Sequence, residues 1–237
     1  MSVRIRHLLA GCLLVGAAAA FPLVEGAAKK SAVEEGEFII FFSGKEIGSE
    51  RFAIQSAEES AASNSFLEFR NPAEPGQKVR METKLEMDGN YVPRTYVLKS
   101  DVDGKKGSIT ASFSPNQVMF DFGGNGTSRR SGLILPNRFT LLDSNIYHHF
   151  IFLVRLFQFD SKEKIQRLEV VVPQEEDSGI LKVSELRREE MEVQGKKRQM
   201  RILQVDSGSL QLELWVDKDK TLRKISVPTK GLDVIRR

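Results

Sequence analysis

The chain reads as a mainly β protein with one buried helix: a large curled antiparallel sheet, or half-barrel, wrapped around that helix. Three observations predict this. Most of the chain from Phe38 onward alternates apolar and polar residues, the period of strands buried on one face. Asp-Gly, Ser-Gly and Gly-Asn pairs punctuate the alternation at short intervals, as between antiparallel neighbours. A single stretch, Ile146 to Phe157, switches to a spacing of three and four and is apolar almost all round, so it must be covered on every side. A sheet curled about that helix buries both elements at once.

The elements follow in order. Phe38 to Phe42 and Glu50 to Ile54 form a hairpin, with Gly44 and Gly48 supplying positive φ at its turn. Val79, Met81, Thr83, Leu85 and Met87 share one face against Arg80, Glu82, Lys84 and Glu86. Asp88-Gly89-Asn90 turns the chain into a strand over Tyr91–Val102, and Asp103-Gly104-Lys105 turns it again. Ile109, Ala111 and Phe113 alternate, then Val118, Phe120 and Phe122. Gly123-Gly124-Asn125-Gly126 closes that strand as a turn, because the polar, non-periodic Thr127–Ser131 does not begin the helix a phosphate loop requires. Asp143-Ser144-Asn145 offers N-cap chemistry to the helix. Strands resume over Arg167–Val172, Met200–Val205, Leu210–Val216 and Leu222–Val227, with Lys182–Glu192 readable as strand or helix.

Ahead of this domain lies an address. Arg4 and Arg6 precede an apolar run from Leu8 to Leu23, with small-residue cleavage candidates ending at Ala20 and Ala28. That is the order of a secretory signal peptide, so residues 1–28 are expected to be removed and the protein to be periplasmic or otherwise exported. Gly11, Gly16 and Pro22 interrupt a run already short for a membrane span. Leu9-Ala10-Gly11-Cys12 resembles a lipobox, which makes a lipid anchor on Cys12 the minor alternative. Residues 29–37 read as a flexible lead-in, and 38–237 as one domain. About 210 residues remain after cleavage, enough for one sizeable core. Cys12 is the only cysteine, so the exported part holds together without disulfides.

Composition excludes several kinds of chemistry. The formal net charge is +3, and acids interleave with Lys and Arg, as across Lys182–Arg201. No basic stripe marks a nucleic-acid site. Outside the leader, His148 and His149 are the only histidines, and adjacent helical positions point about 100° apart, which suits no shared metal. One of them could join Asp143 in an acid–base pair, or simply hydrogen-bond a neighbouring strand. No Gly-x-Ser-x-Gly elbow or His-Glu-x-x-His pair appears. Arg155, the one charge within the apolar helical stretch, can reach out of the cavity, pair with a carboxylate inside it or hold a ligand headgroup. Phenylalanine, at 15 residues, far outnumbers the three Tyr and one Trp, and could line a greasy groove or fill it. The candidate ligand-binding residues are Arg155, Phe150, Trp215, His149 and Phe120; no catalytic residue, metal or cofactor is expected.

Three segments carry a family resemblance. They are Phe38 to Gly48, Leu141 to Phe150, and Leu214-Trp215-Val216-Asp217 through Leu222-Arg223-Lys224-Ile225. Together they resemble a family of uncharacterised bacterial envelope proteins, grouped loosely with the half-barrel fold of LolA, LolB and VioE. The resemblance spans most of Phe38 to Ile235. LolA and LolB carry lipoproteins in an apolar cavity, whereas VioE is a cofactor-free enzyme on the same scaffold. The resemblance therefore implies a half-barrel, and fold alone does not choose the function. The leading expectation is a non-catalytic envelope protein, at most peripheral to the membrane, that binds a lipid or a hydrophobic protein segment. The alternatives are a structural or interaction module with a filled core and an envelope protein partner, and thirdly an enzyme.

The leader is open to direct test. N-terminal sequencing of the protein from its own envelope should start near Phe21 or Lys29. An intact Met1 would refute cleavage, and incorporation of radioactive palmitate would mark Cys12 as an anchor.

Overall fold

The computed structural model describes residues 32–237 apart from Pro75, Asn125 and Asn137, so the leader lies outside the described residues. The described residues form one curled sheet of 15 strands around one α-helix. Eight strands come first: β1 (Ala32–Phe42), β2 (Lys45–Ser56), β3 (Ser60–Arg70), β4 (Lys78–Asp88), β5 (Pro93–Val102), β6 (Lys105–Ser114), β7 (Gln117–Gly124) and β8 (Thr127–Ile134). Each pairs antiparallel with the next. The chain then crosses the barrel through β9 (Thr140–Leu141) and the helix α1 (His149–Leu156). It returns through β10 (Gln166–Val172), β11 (Asp177–Val193), β12 (Lys196–Asp206), β13 (Gln211–Val216), β14 (Leu222–Val227) and β15 (Leu232–Arg236). The return path starts at the opposite edge, where β9 lies parallel to β10, and ends when β15 pairs with β1, Phe38 opposite Arg236. First and last strands thus meet in mid-sheet, and the two edges, β8 and β9, face each other without a ladder. The sheet curls but does not close.

Local chemistry explains most boundaries. Ser43-Gly44, Asp103-Gly104 and Gln194-Gly195 each place two successive residues at positive φ, the demand of a type I′ hairpin turn. Gly48 was expected in the first turn, yet it lies within β2. A Cβ there would come within 2.1 Å of the Glu68 carbonyl oxygen, so glycine is needed for close strand approach rather than for turning. In β4 the alternation is complete: Val79, Met81, Thr83, Leu85 and Met87 are buried, and the charged residues between them are exposed.

Other expectations needed correction. The expected lead-in from residue 32 onward is already strand: β1 starts at Ala32 because its polar residues still pair with β2, Ala32 opposite Ser56. Thr127–Ser131 is the start of β8, an edge strand too exposed to alternate. Of the two readings open for Lys182–Glu192 the strand holds, as part of the 17-residue β11. The helix is shorter than its apolar stretch. Asn145 takes φ 65°, which breaks the helical path, and α1 begins only at His149, with no cap from the side chain of His148.

The core fills the curl. Phe38, Ile54, Leu67, Leu85, Tyr96, Phe120, Phe152 and Leu153 are fully buried, and the partly buried Phe150, Phe113 and Phe122 pack against them. Leu153→Asp would leave an uncompensated charge in this interior, a cost of several kcal/mol. It should abolish cooperative unfolding or shift the urea midpoint sharply down. Phe150→Asp, at a half-buried position, should lose less. An unchanged midpoint for Leu153→Asp would place the helix outside the core.

Candidate functional site

Inside the barrel, register brings polar groups together that are far apart in sequence. Glu50 on β2 is fully buried. One carboxylate oxygen accepts the His148 Nδ1–H at 2.6 Å. The other accepts the backbone N–H groups of Tyr147, at 2.8 Å, and His148, at 3.0 Å. The helix entrance is thus capped by a strand residue 97 positions away rather than by Asp143-Ser144-Asn145. With Nδ1 protonated toward Glu50, His148 Nε2 faces the Ser63 hydroxyl on β3 at 3.1 Å. Phe52 stacks on the His148 ring at 5.9 Å between centroids.

A second buried pair lies beside the first. The Tyr96 hydroxyl donates to Asp143 Oδ2 at 2.8 Å, and Asp143 Oδ1 accepts the backbone N–H groups of Ser144 and Gln174. Burial pushes the Asp143 carboxyl up to about 6, although these hydrogen bonds work against the rise. Burial, then Asp143, drives the Tyr96 phenol well above its usual range. His149 is also enclosed, and burial, followed by the neighbouring His148, lowers its pKa so far that the ring stays neutral. Neither His149 ring nitrogen finds a hydrogen-bond partner. The acid–base pair imagined for Asp143 therefore does not form: Asp143 takes Tyr96, and His148 takes Glu50. Among the described residues, no three His, Cys, Asp or Glu side chains stand together as metal ligands.

Carboxylate, imidazole and hydroxyl in this order are the parts of an activated serine. A serine nucleophile also needs substrate beside it. Ser63 is 4% exposed and sits in register between Ile54 and Leu85, both fully enclosed. The arrangement is a fastening that ties β2, β3 and the helix entrance.

Polar and apolar rims flank this interior. Near the end of α1, Arg155 pairs with Glu34 and donates to the Ser56 hydroxyl at 3.2 Å and the Tyr91 hydroxyl at 3.3 Å. The same Glu34 carboxylate also pairs with Arg236. Burial would raise the Glu34 pKa, but Arg236 and Arg155 together hold it below the ordinary value. Arg155 is therefore occupied by a carboxylate of its own chain. At another place on the rim, Phe42, Ile47, Phe69, Val79, Val102 and Leu232 line a recess of ≈ 370 Å³ over Tyr147. Its polar margin carries Asn71, Gln77, Asn145 and Lys230. Ile47 reaches this recess from a bulge in β2, where the pairing with β1 slips between Ile40 and Phe41.

The five residues chosen from the sequence do not converge. Phe120 is sealed in the core, 6.0 Å from Phe122. His149 lies against Tyr96 and His148, and Phe150 is half-buried on the flank of α1. Trp215 is half-buried on the outward face of β13, with Lys224 and Arg187 about its ring at 5.4 and 6.0 Å, so it is no wall of an inner cavity. Glu50, Ser63, Tyr96 and the recess were missed. Glu50 left one signal: in Glu50-Arg51-Phe52-Ala53-Ile54 it shares the inward parity of Phe52 and Ile54.

The fold has relatives in structure but none found in sequence. No family model and no curated protein matches the chain. It is similar to a β-barrel-like protein of the domain of unknown function DUF1849 from Brucella abortus, with 11% identity and a TM-score of 0.58 over 87% of this chain and 94% of that one. A DUF1089 family protein from Pseudomonas aeruginosa aligns at 12% identity and a TM-score of 0.44, over 76% of this chain and 90% of that one, too distant to carry an argument. At such identities the likeness shows the fold alone. The protein is of the β-barrel-like class.

The buried carboxyl makes a pH prediction. Asp143 binds its proton more tightly folded than unfolded, since its pKa rises from 3.8 to about 6. Its contribution is thus full below pH 4 and is lost as pH climbs through 6, by roughly 3 kcal/mol. Asp143→Asn keeps an acceptor for the backbone and a donor for Tyr96. Urea unfolding from pH 4 to 8 should therefore fall more steeply for wild type than for this variant. Parallel curves would show that Asp143 does not titrate in the folded interior.

Proposed function

We propose that this protein is a non-catalytic binding module of the bacterial cell envelope, which seats the apolar end of an anionic amphiphile in the rim recess above Tyr147. One observation carries the reading. The recess is apolar in its walls, polar at its margin, and among the described residues the only charged side chain lining it is the cation Lys230. A volume of ≈ 370 Å³ falls within the range of small-molecule sites, and suits a short apolar segment rather than a whole lipid. The barrel interior is packed with side chains, which supports placing the ligand at the rim. The half-barrel group of LolA, LolB and VioE remains the proposed kinship, with the cargo held outside the curl rather than within it. Peripheral contact with a membrane surface fits the same chemistry.

A second reading has its own support. Because Phe120, Phe152 and Tyr96 fill the interior, the protein could serve as an interaction module and carry no small ligand. Native mass spectrometry of protein from its own envelope, with titration by dansyl-labelled undecanoic acid, separates the two. Binding is expected, weakened at least tenfold by Leu232→Arg or Phe69→Arg, whose partly exposed positions spare the core. No bound amphiphile, together with probe binding indifferent to both variants, would favour the interaction module.

A further inference from the structure

The seam of the sheet holds an unused edge. β8 is the last strand on its side, and among the described residues it pairs only with β7. Across the seam stands β9, two residues long and paired only with β10. An edge strand of eight residues offers a row of backbone donors and acceptors without a ladder partner. Natural edges are blunted by charge or cover. Here the cover is a side-chain latch. Glu176, which follows the 3-10 turn Pro173–Glu175 between β10 and β11, reaches across to β8. Its carboxylate takes the Arg129 guanidinium in a two-pronged pair and the Ser131 hydroxyl as well. Arg129 is also held over the Phe122 ring at 4.3 Å. Hydrogen bonds from Arg129 and Ser131 hold the Glu176 carboxyl down to about 2, so the latch stays ionised at any ordinary pH.

The latch is informative because it shows what β8 recognises. Arg129 and Ser131 already form a carboxylate site, and the chain's own Glu176 occupies it from a turn rather than from a strand. On the other face of β8, Arg130 meets only the exposed Asp121 carboxylate, and Ile134 is 84% exposed. The paired arginines disfavour a second copy of β8 as the added strand, since like charges would gather at the join. We infer that β8 is a strand-addition site for an extended acidic segment of a partner protein, which displaces Glu176 and continues the sheet across the seam. On one face that segment should carry a carboxylate opposite Arg130 and an apolar residue opposite Ile134, four positions away, and on the other face a carboxylate that takes the place of Glu176 at Arg129. Main-chain hydrogen bonds would supply affinity, and these alternate side chains specificity.

The test uses the full exported chain and a nine-residue probe peptide with Glu and Val four positions apart on one face and a further Glu on the other face to meet Arg129. A second peptide with Lys in place of each Glu is the control. Hydrogen exchange is followed over β8 and, as an internal reference, β4. In Glu176→Gln the latch loses its charge, so the acidic peptide should protect β8 amides at concentrations at least fivefold lower than in wild type. Arg130→Glu should weaken that protection at least fivefold. β4 should be unaffected throughout. Circular dichroism of each variant checks that the sheet remains folded. Absence of β8 protection in both wild type and Glu176→Gln at saturating peptide would overturn the inference, as would equal protection by the Lys peptide.

Discussion

The buried Glu50 carboxylate is the interaction on which the rest of the structure leans. An isolated carboxylate in a packed interior costs several kcal/mol, so it persists only when fully paired. Glu50 meets that condition with His148 Nδ1 and two backbone N–H groups at the helix entrance. Those N–H groups have no intrahelical partner of their own. Each side therefore satisfies what the other would otherwise leave open. The consequence is geometric: the crossing segment must dock at β2, and His148 then reaches Ser63 on β3. A purely apolar helix could slide or rotate in an apolar barrel, whereas this one has a fixed depth and orientation.

That anchoring also decides what the barrel can do. With α1 seated by its entrance, Phe152, Leu153 and Tyr147 project into the curl and close it. Arg155 at the other end is drawn to Glu34, which Arg236 shares, so the one charged residue of α1 is tied to β1 and, through Glu34, to β15. The site chemistry follows. Glu50 and Asp143 are each consumed by partners of the chain itself. The same curl encloses a serine–histidine–carboxylate chain, which there ties β2, β3 and the helix entrance together.

Much of the architecture was legible from local pattern. Period-2 alternation located β4, β6 and β7, and turn pairs such as Asp103-Gly104 fixed their hairpins, since positive φ at two successive residues is a local demand. The apolar Ile146–Phe157 stretch announced a covered helix. Edges were harder. β8 was left without an element, its first residues read only as polar and non-periodic, because an exposed edge strand buries neither face and so carries no period. The helix start was misplaced because Asp143, a good cap by residue type, is taken by Tyr96 and the Gln174 backbone instead.

Sequence by itself thus determined the strand-rich class, the hairpin order and the presence of one enclosed helix, because backbone preference and hydrophobic period act over a few residues. Only the tertiary structure decided which carboxylate meets which base, that Arg155 is spent on Glu34, that Trp215 faces outward, and that β8 and β9 remain unjoined. Those outcomes depend on register across strands and on contacts such as Glu50 with His148, 98 residues apart. Pair chemistry at that separation leaves no periodic trace in a single chain, since any of several acids on inward positions could have met the same imidazole until the sheet curled and chose one.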